Sequence, residues 1–510
     1  MCEANGADRS LEGDRSMQRT NRLSAFAAAL IVAASTLNPG DAQAVDPTVV
    51  DSRLAVRTVV DGLSQPTSMA FLDSNNILVL EKATGRVQRV LNGIIQGTPA
   101  LDLAVNSASE RGLLGIALHP DFPTNPGVFL YWTESTTGAD TTVLSETPLL
   151  GNRVDRFLWN GSTLTFDRNL IQLRALQPAF AAEPTPPTGR GNNNGGVLRF
   201  GPDGKLYIFV GDVGRRGQLQ NLPDGPLGPG QPDDQFGGPE PDDAHLTGAI
   251  LRLNDDGSAP ADNPFFGVGA TMGGEAGANI QKVFSYGHRN GFGMAFDPKA
   301  GHLWLQENGD DSFAELNRVT PGMNGGWVQI MGPVTRVARY KAIETSSEDD
   351  PCRGTPYFGL QQERWSPENI ANTPLQALSR LFELPGSQYR DPELSWKFDV
   401  APGGLGFLDG RALGLLYDGN LFMGAARETL EEGYLFRFRL SFDRRRIGVI
   451  DLRLLLDRVA DNLCKFDITE SESLLFGRGF GIGTDIQTGP NGNLFVVSLS
   501  KGAIYEIYRP

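Results

Sequence analysis

The sequence predicts an all-β protein, a six-bladed β-propeller with long inter-blade loops. Three observations carry that prediction: a two-strand pattern recurs six times, its turns are of the hairpin kind, and the composition is rich in turn formers. The 510 residues include 62 Gly and 33 Pro, which suits many turns and few long helices.

The copies come in order along the chain. "MAFLDSNNILVLEK" starts at Met69, "IALHPDFPTNPGVFLYWTE" at Ile116 and "LRFGPDGKLYIFVGD" at Leu198. "MAFDPKAGHLWLQENG" starts at Met294, "LGFLDG" at Leu405 with "YDGNLFMGAA" after it, and "IQTGPNGNLFVVSLSKGAIYEI" at Ile486. Each runs from a short apolar strand through a turn of Pro, Asp, Asn or Gly into a second strand with an aromatic near its start. In "PDGK" and "PNGN" glycine supplies the positive φ that a hairpin needs. The strands are read as alternating, half-buried ones. Radial repetition of roughly 4–8 four-stranded blades leaves only short, protected sheet edges. A pair of sandwich domains explains the repeats less well.

The copies are spaced more widely than a minimal blade of about 40–50 residues. Two loops take up the surplus, Asn221 to Asp243 and about Val334 to Trp396. Loops of that length on a rigid scaffold are functional or disordered. The last strand, "GAIYEIYRP", is placed to close the ring beside "SRLAVRTVV" near the start of the chain.

The N-terminus reads as an export signal over residues 1–44, with its start at Met17. Arg19 and Arg22 precede the apolar run Leu23 to Leu37, and Ala42-Gln43-Ala44 is a cleavage site of the A-x-A kind. The run is too short and too rich in small residues to span a bilayer. A single domain is expected over 45–510, exported to a periplasm or secreted. Cys352 and Cys464 fall in that domain; the sequence leaves open whether they pair or stay as two buried thiols.

Net charge is -15, which argues against nucleic acid and anionic membrane as partners. Dinucleotide, P-loop, H-E-x-x-H and G-x-S-x-G signatures are absent. Only His119, His245, His288 and His302 are available as histidines, thin material for a zinc site or a triad.

Five stretches then match a family in its own order: "ERGLLGIALHPDFPTNPGVFLYW" from Glu110, "NNGGVLRFGPDGKLYIFVGD" from Asn193, "GAILRLNDDGSAPADNPF" from Gly248, "YGHRNGFGMAFDP" from Tyr286 and "ENGDDSFAELNRVTPGMNGGW" from Glu307. The chain resembles the soluble PQQ-dependent sugar dehydrogenases, the glucose/sorbosone dehydrogenase family, from about Gly62 to Pro510, most strongly from Glu110 to Trp327. The resemblance implies a six-bladed propeller. It also implies pyrroloquinoline quinone (PQQ) and calcium over the central axis, a sugar as substrate and a separate electron acceptor.

Roles follow residue by residue. At Asn193 the family has a histidine that takes the proton from the anomeric hydroxyl. An imidazole accepts a proton near neutrality and an amide does not, so the replacement keeps a polar contact and removes the base; Asn192 to Asn194 can also be read as a polar turn. Asp212 matches the aspartate that orients the base and is the surviving candidate proton acceptor. Its other reading is a turn cap. Arg289 and Asn290 match cofactor contacts, since Arg grips carboxylates bidentately; His288 beside them reads as structural. Glu110 and Arg111 line the axial cleft or pair with each other.

Gly309 and Asp310 match positions whose carbonyls hold the cofactor's calcium, and Glu315 an acidic ligand of a structural calcium site. "NDDGSAPADN" from Asn254 lacks the twelfth-position Glu of an EF-hand and reads as a turn. In the last third an arginine pair that grips the quinone is missing; Asp485 is kept, with Arg478 upstream and Arg427 as the basic residue of the fifth repeat. A propeller that kept calcium and lost catalysis is the alternative reading. A lactonase with Asn193, Asp212 and Asn290 around a metal is a third.

Overall fold

Each of the six sequence repeats opens its own β-sheet in the computed structural model. It describes residues 45–176, 192–214, 218–221, 246–346, 349–352, 354, 367–427, 429–448 and 453–510. The export-signal stretch 1–44 and all of the Asn221–Asp243 loop except Asn221 lie outside the described residues, as does His245.

The first strands of the six sheets are Pro66–Asp73, Leu113–Leu118, Leu198–Phe200, Met294–Phe296, Pro402–Phe407 and Gly483–Thr488. Each pairs antiparallel with the next strand of its repeat: Asn76–Glu81, Gly127–Thr133, Leu206–Val210, Leu303–Glu307, Leu421–Ala425 and Leu494–Ser498. The first strands touch one another in sequence order, and the sixth touches the first. The result is a closed, propeller-like cycle of sheets with four short α-helices among the described residues. None of the described helices is long and apolar enough to cross a membrane.

The second strands do not alternate. Leu206–Val210, Leu421–Ala425 and Leu494–Ser498 are buried at every position. A sheet packed between two neighbours is covered on both faces, so its central strands become continuous apolar runs. Burial of each such Leu, Ile or Phe contributes about 1.5–3 kcal/mol. Between the second and third sheets, for example, Phe129 and Tyr131 pack with Ile208, Val210 and Leu251.

Glycine lets the inner strands approach backbone to backbone. A Cβ on Gly403 would stand 2.3 Å from the carbonyl oxygen of Gly483, and one on Gly406 1.9 Å from that of Ile486.

The ring closes where the sequence placed the closure. Ala55–Val60 pairs antiparallel with Ala503–Tyr508, and Arg57 meets Glu506 at 2.7 Å across the seam. Thr48–Val49 adds a further strand to the fifth sheet beside Arg478 and Gly477.

The long connection after Val334 carries the helices Val337–Glu344 and Pro374–Ser379, whose Tyr340 and Ala377, with Ile370 between the helices, share one hydrophobic cluster with Trp327, Ile330 and Phe313. Cys352 in that connection is disulfide-bonded to Cys464, 112 residues further on. This resolves the open question about the two thiols.

Candidate functional site

Sheet topology brings the candidate residues to one end of the ring. Glu110, Asn193 and Arg289 each precede the first strand of a sheet, whereas Asp212 and Asp310 follow a second strand. Starts of first strands and ends of antiparallel second strands lie at the same end.

The three asparagines point three ways. Asn192 Oδ1 accepts from Ser109 Oγ at 2.7 Å. Asn194 Oδ1 accepts from Asn152 Nδ2 at 2.9 Å, and its carbonyl from Tyr131 at 3.0 Å. Only Asn193 faces the cluster: its Nδ2 donates to Asp212 Oδ1 at 2.8 Å, and its Oδ1 accepts from Asn290 Nδ2 at 3.3 Å. Its φ of 57° is left-handed, a conformation that asparagine, aspartate and histidine tolerate better than most residues. Gly211 makes room for this turn, since a Cβ there would lie 2.0 Å from the Asn193 carbonyl oxygen.

Asp212 is fully buried. Besides Asn193 it accepts from Gly214 N at 2.8 Å and from Trp327 Nε1 at 2.9 Å. Burial pushes its carboxyl above the ordinary carboxylate range, with Arg289 and Asn193 pulling the other way. Glu110 is half-buried and accepts from Asn290 Nδ2 at 2.9 Å. Burial raises its carboxyl too, against Arg289. Two carboxylates and two amides therefore share one hydrogen-bonded cluster, joined through Asn290.

Arg289 is buried, donates Nη1 to the Asn308 carbonyl at 2.9 Å, pairs with the Asp310 carboxylate and lies 5.5 Å over the Trp327 ring. Its Nε, and Oδ1 of Asn290, are buried and meet no hydrogen-bond partner among the described residues. An unsatisfied donor and acceptor side by side suit a planar polar group that offers an oxygen acceptor to Arg289 Nε and an N–H or O–H donor to Asn290 Oδ1. His288 is locked between Ser285 Oγ at 3.0 Å and Glu307 Oε1 at 2.7 Å, the structural role the sequence indicated. Arg111 turns away from Glu110 and donates to the carbonyls of Ala175 and Leu144 at 2.9 and 2.8 Å.

Other expected residues stand apart. Arg427 pairs with Glu432 and lies 5.1 Å over Tyr434. Arg478 lies over the same ring at 5.4 Å, on the strand next to the edge of the fifth sheet, so neither joins the Asn193 cluster. Asp485 is buried on the sixth inner strand, bound to Arg199. The turn from Asn254 is closed locally by Ser258 on Asp256, and Asp262 pairs with Arg252.

Of the residues expected to hold calcium, Asp310 and Glu315 are met by protein donors, while Gly309 lies in the turn after the second strand of the fourth sheet. The Asp310 carbonyl accepts from Lys465 Nζ at 2.5 Å. Glu315 accepts from Gly332 N at 2.5 Å and from Asn317 Nδ2 at 2.8 Å, and burial, with Glu307 nearby, pushes its carboxyl well above the usual range. Among the described residues the one group of three potential metal-ligating side chains is Asp350, Cys352 and Cys464, and two of these are the disulfide. At Asp310 an ammonium on the carbonyl does not fit calcium, and at Glu315 both carboxylate oxygens accept from protein donors.

Three residues of the site were missed in the sequence. Trp327 stood within a quoted motif but had no assigned role. Lys82, buried behind Glu110, follows the second strand of the first repeat and donates to Ser107 O at 2.9 Å. Lys465 reaches the site from 155 residues away, with no local signal.

A family model described as Glucose / Sorbosone dehydrogenase matches residues 63–350. Quinoprotein glucose dehydrogenase B of Acinetobacter calcoaceticus is 31% identical over 361 residues, 66% of either chain; the match thus spans just under two thirds of that relative's length. Aldose sugar dehydrogenase of Escherichia coli strain K12 is 25% identical over 461 residues, 89% of this chain and 92% of that one. The structure of the PQQ-bound form of aldose sugar dehydrogenase from Streptomyces coelicolor superimposes with a TM-score of 0.52 at 22% identity, covering 92% of this chain and 99% of that one, a likeness of fold.

Proposed function

Because the chain belongs to the glucose/sorbosone dehydrogenase family, we propose that it is a PQQ-dependent dehydrogenase of aldose sugars, with each of its six sheets as one blade. One observation carries the reading: Asp212, Asn193, Asn290 and Glu110 form a single hydrogen-bonded cluster beside Arg289 at one end of the ring. Relatives with names such as quinoprotein glucose dehydrogenase and aldose sugar dehydrogenase support the reaction class.

Arg289, donating from Nε to an oxygen of the quinone, and Asn290, accepting at Oδ1 from an N–H of it, would hold the cofactor, with Glu110 at its edge. Bound there, the quinone would supply the hydride acceptor for the sugar's anomeric carbon. The proton of the anomeric hydroxyl goes to Asp212 Oδ. Burial lifts this carboxyl toward the working pH, which suits a general base. Asn193 and Trp327 orient the carboxylate and do not titrate. The disulfide supports residence in an oxidising compartment, in keeping with export.

The test is titration of the purified protein with PQQ, followed by dye reduction with a panel of aldoses. Saturable binding with sugar-dependent reduction supports the reading, and Asp212→Asn then lowers kcat far more than KM. Binding without reduction by any aldose sinks it.

A further inference from the structure

Lys465 lies in the long connection between the third and fourth strands of the fifth sheet, yet its ammonium ends inside the turn after the second strand of the fourth sheet. Its Nζ donates to the Asp310 carbonyl at 2.5 Å and to Asp311 Oδ1 at 3.1 Å. The residue is 8% exposed. Asp399 hydrogen-bonds through its backbone N–H to the Asp311 carbonyl at 3.0 Å and adds a second nearby negative charge.

The neighbouring residue is Cys464, tied to Cys352. Asp350 accepts from the backbone N–H of Cys352 at 2.9 Å and from that of Lys465 at 3.4 Å. The disulfide and Asp350 thus anchor the backbone from which the ammonium reaches the turn.

A calcium ion needs six to eight oxygens at about 2.3–2.6 Å. An ammonium 2.5 Å from the Asp310 carbonyl takes the position such an ion would occupy, and its charge repels a second cation there. We propose that Lys465 is the resident cation of this site: its ammonium stands in for a divalent metal at Asp310 and Asp311, and the site binds no calcium while Lys465 is in place. The inference rests on the reading of this end of the ring as the cofactor site, from which it takes only the expectation of a cation.

The test counts calcium bound per chain by equilibrium dialysis of the full, chelator-stripped protein, a readout that needs no turnover and no quinone. Lys465→Met is expected to bind one calcium more per chain than the wild type, and adding Asp311→Asn removes it. Equal counts for wild type and Lys465→Met overturn the proposal. Should Lys465→Met not fold, Lys465→Ala, which leaves no donor on the Asp310 carbonyl, replaces it and is read in the same way. Asp311→Asn in the wild-type background decides independently: an unchanged count supports the proposal, and loss of one calcium overturns it. A wild type that fails to oxidise sugars while Lys465→Met gains its calcium would sink the functional reading and leave this one standing.

Discussion

Arg199 Nη2 and Asp485 Oδ1 meet at 2.6 Å between the third and sixth inner strands, on opposite sides of the cycle of sheets. Asp485 also accepts from Ser68 Oγ at 2.7 Å, Met69 N at 3.0 Å and Gln487 Nε2 at 2.7 Å. It is therefore a tie between the ring's opposite halves, where the sequence had set it beside a lost quinone grip.

The two partners are unequal. Arg199→Met leaves Asp485 with three donors and is expected to cost about 1–3 kcal/mol. Asp485→Ala strands a cation and those three donors, at a cost of about 3–5 kcal/mol. Urea denaturation of both variants measures the order; a larger loss for Arg199→Met would contradict it.

Asn193→His is expected to raise PQQ-dependent sugar oxidation by at most about 10²-fold, because it adds a base beside Asp212, which already takes the proton. The left-handed backbone at this position accepts histidine, and an imidazole N–H there would find Asp212, as the amide N–H does now. Steady-state kinetics with an aldose decides, and an unchanged rate would mean that a base at this position adds nothing to Asp212.

Gly211→Ala places a methyl group 2.0 Å from the Asn193 carbonyl oxygen and 3.1 Å from Asn290 Oδ1. Both the turn and the amide must shift. The expected outcome is loss of PQQ affinity by about five- to 150-fold, since roughly 1–3 kcal/mol of strain is introduced at the site; fluorescence titration against the wild type reads it.

Burial holds the Lys82 ammonium down to about 8 from 10.5. Between those values the unfolded lysine is protonated and the folded one is not, so stability rises with pH across this window. Below about pH 8 the folded state carries the full penalty, roughly 3 kcal/mol at about 1.4 kcal/mol per unit. Lys82→Met lacks it. The variant's stability relative to wild type should therefore fall as pH goes from 7.5 to 10, measured by denaturant midpoints; a pH-independent difference would be evidence against the shift.

Reduction of Cys352–Cys464 opens a cross-link spanning 112 residues. Loop entropy puts its contribution at about 4–5 kcal/mol. Thermal unfolding with and without a reductant checks it, and an unmoved midpoint would mean that packing alone holds the two segments.

The repeats were legible because each pairs a turn signal with an apolar run, and every quoted copy begins on, or just before, the pairing of a first and second strand. The alternation read into those strands was wrong for the second ones, such as Leu494–Ser498, because a single sequence does not say that a sheet will be covered on both faces. Asn193, Asp212, Asn290 and Glu110 could be found since each sits at a strand end inside a recognisable motif. Lys465 could not, because its partners at Asp310 and Asp311 belong to another sheet. Arg199 pairs across 286 residues, a separation that no local pattern reports. The disulfide was likewise a matter of three-dimensional proximity.

The seam between Ala55–Val60 and Ala503–Tyr508 has a consequence for synthesis. Arg57 and Glu506, its ion pair, are 449 residues apart. At about 5–20 residues per second, the first of these strands waits roughly 20–90 s on the ribosome before its partner exists. Throughout that interval Ala55–Val60 presents an unpaired edge, a template for the wrong neighbour. A nascent chain can fold its sheets one by one but cannot shut the ring until translation is nearly finished, which makes the outer strand of the sixth sheet the segment most in need of a chaperone's cover.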